Sequence, residues 1–131
     1  MFGRKPPANE AATPGARAEQ LAARFLRRQG LRIRATNYRT PRGEIDLIAE
    51  HHETLVFAEV RLRSDVRFGD AAESIDARKQ QRIVLASAHY LHSEQLGDTH
   101  PCRFDAICLT PDDSRDGYQL EWIRDAFRPN A

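Results

Sequence analysis

A chain of 131 residues with 40% hydrophobic and 30% charged residues has the size and composition of one globular domain rather than of a disordered chain. No apolar run approaches the roughly 20 residues of a membrane span, and the N-terminus lacks the apolar centre of a secretory leader, so a cytoplasmic protein without membrane attachment is expected. Net charge is only +1, but residues 1–42 carry ten Lys or Arg against two acids, whereas residues 83–131 carry four Arg against eight acids.

A basic N-terminal third is the electrostatic footprint of a phosphate-backbone binder; an Arg-rich solvated face is the alternative. Eighteen of the twenty basic residues are Arg, a bias that base composition alone can produce.

Residues 1–12 are small, polar and Pro-containing and read as a flexible tail ahead of a single domain at 13–128. Thr13-Pro14 has the form of an N-cap followed by Pro at the first helical position, and a helix should run to about Gln29, ended by Gly30. Its apolar stripe is Ala18, Leu21, Ala22 and Phe25, with Glu19 at the stripe's edge. Leu31 to Tyr38 alternates apolar residues with Arg and predicts a first strand. Gly43 to Ile48 and Val56 to Arg61 predict a hairpin turning at His51-His52-Glu53-Thr54. Centring the turn between His52 and Glu53 places Ala49 opposite Val56, Asp46 opposite Glu59 and Glu44 opposite Arg61. A loop with Phe68-Gly69 follows. A second helix is expected from about Ala71 or Ser74 to Leu91, with Lys79 on its inner arc beside Ile75, Ile83, Ala86 and Tyr90. Arg103 to Leu109 and Tyr118 to Ile123 predict two further strands. Cys102 and Cys108 flank the first of these with the same parity, too far apart along it for a disulfide, so reduced thiols are expected. The order α-β-β-β-α-β-β predicts an α/β domain with a mixed central β-sheet flanked by helices.

Period-two alternation puts Glu44 and Asp46 on one face of their strand, and Glu59 and Arg61 on the same face of the next. Like charges directly opposed across a hairpin are destabilising, so Asp46 against Glu59 asks for a compensating cation. With Glu19 leaning in, the expected donors are all oxygen, which suits Mg²⁺ or Mn²⁺ better than zinc. Such an ion activates water and stabilises charge on a phosphoryl group. His89 and His92 share a helix face but have no acidic or Cys partner nearby in sequence.

These residues resemble a known family. Gly43-Glu44-Ile45-Asp46-Leu47-Ile48, Val56-Phe57-Ala58-Glu59-Val60-Arg61-Leu62-Arg63, Phe68-Gly69, Lys79 and Arg103-Phe104-Asp105 look like the YraN family of small bacterial proteins. That family is similar to Holliday-junction resolvases within the restriction-endonuclease-like, PD-(D/E)xK superfamily. The resemblance implies a restriction-endonuclease-like domain and a metal-dependent site for DNA phosphodiesters, with possible action on branched DNA and a homodimeric state. It assigns Asp46 and Glu59 as the motif acids, Arg61 to the position of the motif lysine and Glu19 to the helical acid. Lys79 and Asp105 match family motifs without an assigned role.

The motif wants Glu-x-Lys, and this chain has Glu59-Val60-Arg61. Arg stays protonated and cannot act as a base. Three accounts remain open: drift in an Arg-rich chain, transfer of the lysine's role to Lys79, or loss of catalysis. The expected catalytic set is therefore Asp46, Glu59, Arg61 and Lys79, with Glu19, Asp46 and Glu59 as metal ligands and Glu44 and Asp105 in support. Arg24, Arg27, Arg28, Arg32 and Arg34 are the expected nucleic-acid contacts. A fold-retaining nucleic-acid binder without cleavage and a scaffold protein are the competing readings.

Overall fold

The computed structural model describes residues 13–63 and 75–129. Its elements are α1 (Pro14–Arg28), β1 (Arg32–Thr40), β2 (Gly43–His51), β3 (Thr54–Leu62), α2 (Ala77–Ser93), β4 (Cys102–Pro111) and β5 (Tyr118–Phe127). The five strands form one sheet in the order β1-β2-β3-β4-β5. Neighbours are antiparallel except β3 and β4, whose parallel pairing requires the crossover that α2 supplies. This mixed sheet with a helix on each face bears out the α/β architecture and element order. The expected tail at 1–12, Phe68-Gly69 and the helix start proposed at Ala71 or Ser74 lie outside the described residues.

The first helix starts where its caps dictate. The Thr13 hydroxyl accepts from the Ala16 amide at 3.3 Å, and Pro14 occupies the first turn. Gly30 ends it with a φ of 94°, open to glycine without steric cost. Its buried stripe includes Leu26, fully enclosed, beyond the residues read from sequence. The second helix begins at Ala77, later than expected, because the Asp76 carboxylate caps it by accepting from the Lys79 amide at 2.8 Å.

Each face of the sheet has its own core. Under α1 lie Leu47, Ala49, Val56, Ala58, Ile107 and Leu109. Under α2 lie Ile45, Ile48, Leu55, Phe57, Phe104 and Ala106. Gly43 fixes the second helix on the sheet: a Cβ there would meet the Arg82 carbonyl oxygen at 2.1 Å. Only glycine permits that approach, which holds the helix one turn beyond Lys79 directly over the start of β2. Both cysteines are free thiols, Cys102 exposed and Cys108 buried.

Candidate active site

The hairpin register holds for five pairs, from His51–Thr54 to Leu47–Ala58, and then stops. The expected ladder pairing of Asp46 with Glu59 and of Glu44 with Arg61 does not form. Strict alternation fails at the same point. Ile45 and Ile48 both join the core under α2, while Leu47 joins the one under α1. The neighbouring strand slips in concert: Ala35 and Tyr38 both pack toward α2, and Asn37 between them has a φ of 51°. A residue that tolerates left-handed backbone sits where the kink falls. Asp46 is thereby turned off the sheet face into the gap between β2 and β3. Its Oδ2 accepts from the Val60 amide at 2.8 Å, replacing the backbone carbonyl that the broken ladder no longer provides.

Glu59 faces α2 from β3 and is only 4% exposed. Lys79 Nζ approaches its Oε2 at 2.8 Å from the helix, and Arg61 Nη1 reaches the same oxygen at 3.4 Å from two residues along the strand. The guanidinium that was expected to face Glu44 therefore bridges to Glu59. Burial pushes the Asp46 carboxyl up to about 7, with the Glu59 charge and a carboxyl–carboxylate hydrogen bond adding to the rise and the Val60 amide opposing it. Two carboxyl groups thus meet in one partly dry gap, one of them matched by two cations and the other by none.

Glu19 approaches from the other side of the sheet and accepts from Asn37 Nδ2 at 3.0 Å. It lines a cavity of about 280 Å³ with Asp46, Glu59, Arg61 and Lys79. A second cavity of about 270 Å³ shares Asp46, Glu59 and Lys79 and is flanked by Glu44, Asp76, Arg78 and Arg82. Among the described residues no three His, Cys, Asp or Glu side chains group closely enough to hold a metal ion. Of the three expected ligands, Asp46 and Glu59 meet directly, and Glu19 lines the same cavity while its Oε1 accepts from Asn37. The Asp46–Glu59 pair nonetheless fits a hard divalent cation. Its donors are oxygen only, the class of ligand that such an ion takes.

Asp105 belongs elsewhere. It is completely buried on β4 opposite Ala58 and accepts from Trp122 Nε1, Arg103 Nε and the Asp125 amide, none of which lines either cavity beside Asp46. The five arginines assigned to nucleic acid do not make one surface. Arg24, Arg27 and Arg28 are exposed on α1, with Arg24 3.9 Å from Asp116. Arg34 reaches Glu50 and Glu94 toward α2, on the opposite face, and Arg32 also approaches Glu50. Asn37, Gly43 and Asp76 position the site and were missed. Their sequence signals were an isolated Asn inside a strand, the Gly opening β2, and an Asp three residues before Lys79.

The sheet order, crossover helix and carboxylate pair at splayed strands define a restriction-endonuclease-like α/β domain. The profile of the uncharacterised protein family UPF0102 matches residues 18–109, and the chain belongs to that family, the YraN family. It is 47% identical over 114 residues to a UPF0102 protein of Nitrosococcus oceani, covering 87% of this chain and 90% of the relative. A UPF0102 protein of Methylobacillus flagellatus is 50% identical over 110 residues, covering 84% and 92%. One from Pseudomonas aeruginosa is 43% identical over 113 residues, covering 86% and 90%. No helix among the described residues is long and apolar enough to cross a membrane.

Proposed function

We propose that this protein is a metal-dependent endonuclease for DNA phosphodiesters in which Lys79 takes the part of the motif lysine. The observation that carries the reading is the 2.8 Å contact between Lys79 Nζ and Glu59 Oε2 beside Asp46. The chain has eighteen Arg and two Lys, and Lys79 is the one lysine among the described residues. Where Arg is the habitual cation, a lysine against the buried acid marks a need for an ammonium, which can give up a proton as a guanidinium cannot.

Asp46 and Glu59 are the residues that would hold Mg²⁺ or Mn²⁺. When bound, the ion would supply charge at the phosphoryl oxygen and lower the pKa of an attacking water. The chain's own contribution is positional. The Val60 amide orients Asp46, and Asp76 and Gly43 fix the helix turn that carries Lys79. Arg61 offers fixed positive charge to a phosphate entering the cavity.

The test is incubation of the purified protein with single-stranded, linear duplex and four-way-junction DNA in Mg²⁺, Mn²⁺ or EDTA. Metal-dependent nicking abolished in Asp46→Ala, Glu59→Ala and Lys79→Arg is expected. Nicking that survives Lys79→Arg would remove the role given to the lysine. Shifted but uncut DNA would favour the second reading, a fold-retaining binder, for which Arg61 at the motif position is the specific support.

A further inference from the structure

A second polar cluster, whose members line neither cavity beside Asp46, is organised by Asp105 on β4 opposite Ala58 of β3. Its carboxylate is 0% exposed and accepts from Arg103 Nε at 3.0 Å, Trp122 Nε1 at 2.9 Å and the Asp125 amide at 2.9 Å. The amide comes from a point where β5 takes left-handed backbone, with a φ of 54°. A buried carboxylate with three donors is a rigid hub, and it fixes both a guanidinium and the edge of an indole.

Around that hub the outward groups are cations and rings. The Arg124 guanidinium lies 4.2 Å from the Trp122 ring centroid, a cation–π distance. Arg103 Nη2 lies 3.2 Å from His51 Nδ1. The rings of His51 and His52 stack at 4.7 Å with 24° between their planes, and His52 is exposed at the hairpin turn. Asp105 is matched by its three donors, Asp125 by Arg128 at 2.6 Å and Glu50 by Arg32 and Arg34, while Glu53 follows His52 at the exposed turn. Among the described residues Arg124 makes no ion pair. Burial, then the charges of Arg103, His52 and Arg124, hold His51 below its ordinary value, in keeping with a positive surface there.

We infer that the Arg103–Arg124–Trp122–His51–His52 cluster docks an unpaired nucleic-acid strand, with phosphates on the two guanidiniums and a base on the exposed His52 ring. Charge alone would serve any polyanion; held guanidiniums beside stacked rings match the alternation of phosphate and base. His51, the member of the cluster on β2, lies five residues along that strand from Asp46, about 17 Å at roughly 3.3 Å per residue. The joint use of both regions by one strand rests on the nuclease reading; the docking itself does not.

The experiment titrates the full chain in EDTA with a short mixed-sequence single-stranded DNA oligonucleotide carrying a 5′ fluorophore. Binding is followed by its anisotropy and by emission of Trp122, the one tryptophan in the chain. Expected are coincident isotherms that weaken with salt, about tenfold weaker binding in Arg124→Ala and in His52→Ala, and a salt slope reduced by about 0.7 in Arg124→Ala. Anisotropy rising without any change at Trp122, affinity unmoved by both substitutions, equal response to inorganic polyphosphate, or no binding would each overturn the inference. Strand binding that persists while DNA stays uncut in Mg²⁺ sinks the nuclease reading and leaves the docking surface standing. Cleavage without a Trp122 response does the reverse.

Discussion

Asp46→Asn should make the metal-free protein more stable at pH 8. The substitution keeps the shape of the side chain and an oxygen to accept the 2.8 Å bond from the Val60 amide. It removes the negative charge that is buried against Glu59. A carboxyl that ionises near 3.8 in the unfolded chain and at about 7 in the fold binds its proton more tightly when folded. Stability is then fully present below the unfolded value and declines as pH rises through about 7. At about 1.36 kcal/mol per tenfold, the full effect is at most about 4 kcal/mol, shared with Glu59, and about 2 kcal/mol of it falls between pH 5 and 7. Urea unfolding in EDTA across pH 5 to 8 measures this directly. The variant's curve should be flatter than the wild type's by up to that amount and lie above it at pH 8. Parallel curves, or an Asp46→Asn protein less stable at pH 8, would refute the reasoning that Asp46 is an uncompensated charge.

The same argument gives Mn²⁺ a stabilising role at pH 8, worth about 2.7 kcal/mol at a hundredfold excess over its dissociation constant; thermal melts should show it in wild type and lose it in Asp46→Asn and Glu59→Gln. Gly43→Ala forces a methyl into the Arg82 carbonyl and should cost about 1–3 kcal/mol, read as a lowered urea midpoint, while displacing the turn that carries Lys79. Lys79→Ala leaves Arg61 on Glu59 and exposes an ion pair already 46% accessible at the lysine, so its stability cost should be below about 1 kcal/mol even as cleavage is lost. Asp105→Ala strands an indole N–H, a guanidinium and a backbone amide and should cost about 3–5 kcal/mol, seen by urea unfolding followed through Trp122 emission.

The linear chain carried the elements and their order because its signals are local. Thr13-Pro14 and Gly30 bracket α1 through caps that depend on a few neighbouring residues. Alternation marked the strands, and centring the turn between His52 and Glu53 set the first five hairpin pairs correctly. The residue types at 46, 59 and 79 were also legible as chemistry-bearing, since carboxylates and an inward lysine are improbable in a plain core.

What alternation could not show was where it fails. The slip at Asp46 depends on Asn37 in the adjacent strand and on which helix claims Ile45 and Ile48, contacts between segments distant in sequence. Tertiary packing alone turned Asp46 into the gap, redirected Arg61 to Glu59, tied Glu19 to Asn37 and delivered Lys79 from a helix to the acid that the strand motif left beside an arginine. It also divided the expected arginine surface between two faces of the sheet and moved Asp105 into a separate hub with Trp122. The sequence determined which groups this protein possesses and the elements that bear them. The fold decided which groups meet, because a side chain's partner is set by long-range packing and the local period reports only its own strand or helix.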